Sequence, residues 1–587
     1  MQLVEWNEQR HAIFLDRYAL RDEDGDALEE SPGQMWMRVA NRFGRSPEEV
    51  DQFMSALWDF KMVPSGRILV GTDDSRHAVN HYNCYVAAIE SKNGHGADSR
   101  QAIMETLTRM VEITARGGGV GINWSTLRPE GSYIRGVHGM SSGSVNWMYG
   151  ADGLADQIRQ GGSRTAALMF LLEDWHPDLM QFISSGRSFK RANYSVAISD
   201  RFMRALENGE DWTFVFPDTK FEMYDEEWDG DIERWIAKGF PVTEHGTMSA
   251  EAVWDHICMS AWASGNPGVI FLERMNKMSN TRYLERIVGV NPCGEQPLPA
   301  WGVCNLGAVN LVAMFDEDTR ELDYESLREA VHAGVRLLDA AIDRAEPVDE
   351  SVSKVQARTR RVGLGLMGLA DYLILKGLRY GSPEAVEETG EIYRTLLQYA
   401  YEASVDLAIE YGPAQGFDLE WLDGENAKKL PESLRDRIRR HGIRNLTVLS
   451  QAPTGTTSIL AGVSSGIEPI FSSNYTRVDA TGSHVVTHPL FDTCRGPEHV
   501  VASDLSVEEH IDMQAAAQVY VDTAISKTVN LPGYSGVKEV DRTFRKAYHK
   551  GCKGITIYRD GSLDNVLSDL ASGQEPVGRL DCPSCEI

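Results

Sequence analysis

Between Asn83 and Tyr558, short runs rich in β-branched and aromatic residues alternate with longer stretches of helical periodicity, and this alternation constrains the fold more than any other feature of the chain. The runs read CYVAAIE, YSVAIS, WTFVF, GVIFL, CNLGAVNLV, LTVLS and GITIY. One intervening helix is explicit: Leu327, Val331, Val335, Leu338 and Ile342 form a stripe of helical period, with Asp323 as its N-cap. Strands alternating with helices predict a mainly parallel sheet or an α/β barrel. Residues 1–75 are rich in charge and helix formers and predict a helical segment, 76–563 make the α/β unit, and 564–587 lose periodicity and read as a mobile tail.

The charge balance narrows the partners. A formal net charge of −28 over 587 residues argues against nucleic acid, which calls for a basic footprint. The first twenty residues mix charges and hold no apolar signal core, and no later run approaches the roughly 18 apolar residues of a membrane span, so the expected location is the cytoplasm. In that compartment the eight cysteines are expected as reduced thiols that act in redox, catalytic or metal chemistry.

Two of them fall in VNPCGEQPLPAWGVCNL. Pro292 disfavours the α conformation at Asn291, so NPCGE is expected to be extended, with Asn291, Cys293 and Glu295 on one face. That face would offer a reactive sulfur, an amide and a proton acceptor to one small ligand. Cys293 and Cys304 stand too far apart for the usual close zinc-ligand pair, and no side-chain metal site is assigned. Another candidate is APTGTTS, after LTVLS, whose backbone N–H groups and hydroxyls suit a phosphate. GLGLMG at Gly363–Gly368 fits a dinucleotide fingerprint, but the charged SKVQARTRRV before it is not a buried strand, so these glycines read as close-packing positions.

An ordered set of segments gives these candidates a context. PSGRIL, NCYVAAIE, RGGGVGIN, LRPEGS, SGNPGVIFLERMN, NPCGEQPL, GVCNLGAVNL, VGLGLMGLADYL, APTGTTSILAGVSSGIEPIF, ISKTVNLP and GCKGITIYRDGS together resemble a ribonucleotide reductase catalytic chain, from about residue 60 to 563. The resemblance implies a ten-stranded α/β barrel of two five-stranded parallel halves, with a finger loop carrying Cys293 to its centre and a helical N-terminal segment beside it. It implies that Cys293 becomes a thiyl radical that removes the 3′-hydrogen of a ribonucleotide, that Glu295 takes the 3′-hydroxyl proton, and that Asn291 holds the ribose hydroxyls. Cys84 and Cys304 match the thiol pair that supplies two electrons. Pro453, Thr454, Gly455, Thr456 and Thr457 match the substrate-phosphate loop, Ser65 and Asn83 lie in matching substrate segments, and Gly118 and Gly119 match the stretch beside the base.

The family's further parts are expected in turn. Asp98, Ser99, Arg128, Gln160 and Arg164 resemble a specificity site for deoxynucleotide or ATP effectors, whereas no nucleotide-binding cone precedes the barrel. Cys582 and Cys585 resemble a thiol shuttle recharged by a thioredoxin-like protein; C-x-x-C also fits half a zinc site, but no second pair adjoins it. Ile557 interrupts the tyrosine pair through which class I chains receive a radical, and LPGYSG lacks the arginine of a glycyl-radical site. The resemblance therefore points to class II and to adenosylcobalamin, which provides the hard chemistry while the protein positions it. A class I chain needing a metal-containing subunit is the alternative, and a non-catalytic nucleotide sensor a remote one. Substrate diphosphate, and a monomer or homodimer, complete the expectation.

Overall fold

The computed structural model describes residues 6–569 apart from 23, 73–79, 92–94, 135–137, 161–163, 186–187, 473, 480–481, 489, 491–495 and 563–566. Three helices, Glu8–Arg17, Pro32–Phe43 and Pro47–Leu57, open the chain. Their starts are written locally: Asn7 and Ser46 side chains cap the first and third, and Pro32 and Pro47 occupy first-turn positions where a missing N–H costs nothing. Phe14, Trp36, Phe43 and Phe53 on these helices share one apolar core with Val309, Leu338 and Leu364.

The core of the molecule is a ten-stranded sheet. Five of its strands run parallel in the order β1 (Cys84–Ala87), β2 (Gly119–Asn123), β3 (Leu168–Glu173), β4 (Ala192–Ala197) and β5 (Gly268–Ile270). A second parallel set comprises β6 (Val303–Asn310), β7 (Val362–Met367), β8 (Thr528–Leu531) and β9 (Gly554–Arg559). Between β7 and β8 the segment around 449–451 makes single parallel bridges, Leu364 to Leu449 and Gln451 to Ile525. It serves as a fifth member of that set and closes the ring. The halves meet antiparallel at both seams, β1 against β6 and β5 against β9. Met62–Pro64 adds a short antiparallel strand to β6.

Strands buried on both faces must be almost wholly apolar, and VGLGLM in β7 and LMFLL in β3, up to the terminal Glu173, obey that rule. Two expected strands behave differently. LTVLS forms only the bridge at Leu449, and WTFVF lies in Asp211–Pro217, which pairs with Val242–Ser249 in a hairpin outside the barrel. The helix Tyr324–Arg344 is capped by Asp323 as its periodicity requires. Among the described residues no helix is long and apolar enough to cross a membrane.

Candidate active site

A hairpin of Gly289–Val290 and Pro297–Leu298 enters the barrel, and NPCGE is its tip. The expected extended conformation is not what forms. Gly294 N donates to Asn291 O at 3.0 Å and Asn291 N to Gln296 O at 3.2 Å, so the segment is a tight turn with Pro292 at its second position. Proline's fixed φ suits that position, and its restriction of Asn291 does not reach Cys293 and Gly294, which complete the turn. Asn291 and Glu295 thus face each other across the hairpin neck, Nδ2 donating to Oε1 at 2.9 Å, and Cys293 sits between them at the apex. The hairpin fits because Gly121 in β2 has no side chain: a Cβ there would stand 1.7 Å from the Val290 carbonyl oxygen. Gly121 lies within RGGGVGIN, two residues beyond Gly119.

Cys84 and Cys304 are direct partners across the β1–β6 seam. Opposed antiparallel residues place their Cα atoms about 4.5–5.5 Å apart, inside the range of about 4.4–6.8 Å that a disulfide spans. Both carry buried free thiols whose pKa values burial raises well above the usual. Cys84 touches the hairpin tip directly: Asn291 Nδ2 donates to its Sγ at 3.1 Å, and its thiol lies 3.7 Å from Glu295 Oε1. Cys293 is only partly buried. Glu295 is fully buried, and desolvation pushes its carboxyl up to about 7. Its Oε1 is engaged, while Oε2 has no protein partner among the described residues.

Beside this cluster opens a cleft lined by Ser65, Asn83, Thr454, Thr456, Thr457 and Gly307. Ser65 Oγ donates to Asn83 Oδ1 at 2.7 Å. The helix Gly455–Ala461 begins at the cleft after Thr454, whose φ of 59° is left-handed, and its first N–H groups lack partners inside the helix. Pro453 precedes it outside the lining. Gly118 and Gly119 are less directly placed: their N–H groups donate to Ile113 O and Asn83 O, and a Cβ on Gly118 would strike Tyr85.

At the expected effector residues, Arg128 grips Asp98 with two bonds, Nε to Oδ2 at 2.6 Å and Nη2 to Oδ1 at 2.9 Å, and Tyr224 OH adds a third at 2.7 Å. Ser99 caps the helix Arg100–Ala115. Gln160 and Arg164 are backbone partners where Arg159–Gln160 pairs antiparallel with Arg164–Thr165. In β9, Ile557 is buried in the core and Tyr558 is half-buried. Cys582 and Cys585 lie outside the described residues. Among the described residues no group of three or more His, Cys, Asp or Glu side chains could hold a metal ion.

A closed α/β barrel with an inserted hairpin, a thiol at its apex and a second thiol pair against its neck defines a thiol-bearing barrel enzyme. The chain belongs to the ribonucleotide reductase family: residues 82–558 match the model of the ribonucleotide reductase barrel domain and 7–76 that of its all-alpha domain. It is 32% identical to the vitamin B12-dependent ribonucleoside-diphosphate reductase of Mycobacterium tuberculosis (strain ATCC 25618 / H37Rv) over 97% of this chain and 80% of that protein. To the enzyme of the same name from Thermoplasma acidophilum it is 31% identical over 93% of this chain and 78% of the relative. The ribonucleoside-diphosphate reductase large subunit of vaccinia virus shares 30% identity over 78% of this chain and 62% of its own length.

Proposed function

We propose that this chain is a class II ribonucleotide reductase that converts ribonucleoside diphosphates to 2′-deoxyribonucleotides with adenosylcobalamin as radical source. The observation that carries the reading is the meeting of Asn291, Glu295 and Cys84 at the hairpin neck, with Cys304 opposite Cys84 and Cys293 at the apex. A cleft with hydroxyls and free helix N–H groups beside them suits the nucleotide's phosphates.

In this reading Cys293, as a thiyl radical, takes the 3′-hydrogen of the ribose. Glu295 Oε2, the oxygen with no protein partner among the described residues, accepts the 3′-hydroxyl proton, and a carboxyl near 7 can hold or release that proton at neutral pH. Asn291 orients Glu295 and Cys84 together. The 2′-hydroxyl leaves as water, the two thiols of Cys84 and Cys304 give up two electrons and two protons and close to a disulfide, and Cys293 returns the 3′-hydrogen. The balance is one ribonucleotide and two thiols to one deoxyribonucleotide, one disulfide and one water.

Adenosylcobalamin, when bound, supplies the radical by homolysis of its cobalt–carbon bond. The residues present fit such a group. A cofactor that delivers a radical to Cys293 would need open space beside that thiol. Gly294 has φ +81°, and a Cβ there would meet only Ile270 Cδ1 at 3.8 Å. Cys293 and Gly294 would border the cofactor there. The domain division at 75 and 563, effector binding at Asp98, Ser99, Arg128, Gln160 and Arg164, reduction by a thioredoxin-like protein through Cys582 and Cys585, a cytoplasmic setting, and a monomer or homodimer belong to the same reading.

The test is an anaerobic assay of the isolated chain with ribonucleoside diphosphate, effector and dithiol. Deoxynucleotide is expected only when adenosylcobalamin is present, with cob(II)alamin followed by absorbance and electron paramagnetic resonance. Product without the cofactor, or only with an added metal-containing subunit, overturns the cofactor assignment.

A further inference from the structure

Three threonines line or border the cleft start of the helix Gly455–Ala461, and their hydroxyls are not equivalent. Each hydroxyl has one proton to donate and two lone pairs. Thr457 Oγ1 donates its proton to Thr454 O at 3.1 Å, so it has none left for an anion. Thr454 Oγ1 accepts Gly466 N at 2.9 Å, which leaves its own proton unused. Thr456 Oγ1 is held the same way, but by a residue from far away in the chain: Tyr18 OH donates to it at 2.7 Å within the protein interior. A phenol donating to one lone pair fixes the Thr456 hydroxyl as an acceptor toward Tyr18 and a donor toward the cleft.

The same N-terminal helix reaches the far end of the helix. Arg10 Nε donates to Leu460 O at 2.8 Å and Nη2 to Ala461 O at 3.1 Å, satisfying carbonyls that a helix of this length cannot satisfy itself. The Glu8–Arg17 helix and its C-cap residue Tyr18 therefore hold both ends of the Gly455–Ala461 helix. Tyr18 is in turn anchored by Arg38, which donates to its carbonyl at 3.2 Å while paired with Glu29.

We infer that Tyr18, backed by Arg10, is a positioning residue for the substrate's phosphates: it orients the Thr456 hydroxyl so that the helical segment is part of the binding device for the nucleotide's anionic end. This rests on the reading of residues 454–457 as the phosphate loop. It assigns to the all-alpha segment a role in substrate affinity that packing alone would not require.

The test is calorimetric titration of the full chain with cytidine diphosphate, cytidine and inorganic pyrophosphate, compared for wild type, Tyr18→Phe, Thr456→Val, Thr456→Ser and the Tyr18→Phe/Thr456→Val double variant. Tyr18→Phe removes one hydroxyl and keeps the ring. It is expected to weaken cytidine diphosphate and pyrophosphate about fivefold, the scale of one hydrogen bond, and to leave cytidine unchanged. Thr456→Val should weaken the same two ligands, Thr456→Ser should retain wild-type affinity, and Tyr18→Phe should add nothing in the Thr456→Val background. If Thr456→Val weakens diphosphate but Tyr18→Phe does not, or if the two losses add, the inference is wrong and the phosphate loop stands. If Thr456→Val changes nothing, the loop reading fails and takes the inference with it.

Discussion

From Cys84 to Ile270 the barrel is joined strand to strand by continuous backbone ladders, whereas between β7 and β8 a shorter set of backbone bonds around 447–451 is supplemented by side chains. In the first half every neighbour is an extended parallel pairing. In the second, the Gln451 amide stands in for a ladder: Leu366 N donates to its Oε1 and its Nε2 donates to Leu366 O, both at 3.0 Å, while Tyr393 OH donates to the same Oε1 at 2.5 Å. The Asp522 carboxylate likewise takes Val448 N and Leu449 N, each at 2.9 Å, and Lys553 Nζ donates to Asp522 O at 2.9 Å and to Thr523 O. Where the ladder is interrupted, backbone and hydroxyl groups become available to something else. Ala524 N and Ser450 Oγ both donate to Glu295 O, at 3.0 and 3.1 Å, and pin the hairpin tip. The regular half is a wall; the interrupted half is a socket. A functional side chain needs supports that lock its place, and the socket supplies them at Glu295 itself, whereas the wall reaches the hairpin at its base, through Asn123 Nδ2 to Val288 O at 3.1 Å.

The sharpest way to break this comparison is at the tip itself. Cys293→Ser should abolish deoxynucleotide formation while leaving nucleotide affinity, read by calorimetry, as in wild type, because a hydroxyl does not readily form the required radical. Measurable product from that variant would mean the socket does not house the chemistry. Next in size, Glu295→Gln should lower kcat about 10²- to 10³-fold, the usual contribution of a positioned base. Wild-type kcat should rise with pH through about 7 as the carboxyl ionises, and the variant should lose that inflection.

Stability separates the two halves on a smaller scale. Gln451→Leu strands Leu366 N, Leu366 O and the Tyr393 hydroxyl in the core and should cost about 3 kcal/mol in denaturant unfolding, whereas Ile122→Val in the wall should cost about 1 kcal/mol. Equal losses would mean that the side-chain support carries no special weight. A further stability effect is a linkage one. The folded Glu295 carboxyl titrates near 7, above its unfolded value of about 4.3, so its contribution to stability is fully present below the unfolded value and is lost as pH rises through the folded one. Between pH 5 and pH 8 the wild type should therefore lose roughly 2 to 3 kcal/mol relative to Glu295→Gln. A constant difference across that range would place Glu295 in a wetter setting than its burial indicates.

Much of this was legible in the residues because it is local. The alternation of apolar runs, the Asp323 cap, the charged lead into GLGLMG and the ordered family segments each depend on a few neighbouring side chains. The glycines of GLGLMG do serve close packing: a Cβ at Gly363 would meet Leu306 and Gln296, and one at Gly365 the Ser450 carbonyl. Where reading by local rules failed, a distant partner had changed the outcome. Pro292 restrains only Asn291, and pairing of Gly289–Val290 with Pro297–Leu298 turns the residues that follow it into a tight corner. Gly121 has no distinctive neighbour in sequence; its requirement comes from a carbonyl that arrives 169 positions later.

The sequence by itself determined which chemistry this protein can attempt, because thiols, a carboxylate and an amide are supplied residue by residue, and it determined that strands and helices alternate. Only the tertiary structure decided that Cys84 stands opposite Cys304, that Glu295 keeps one oxygen open, and that Tyr18 touches Thr456. Those outcomes depend on register and closure, which are set by the summed burial of whole strands rather than by any one residue's preference. A shift of one position in the β1–β6 seam would leave every local signal in place and part the two thiols.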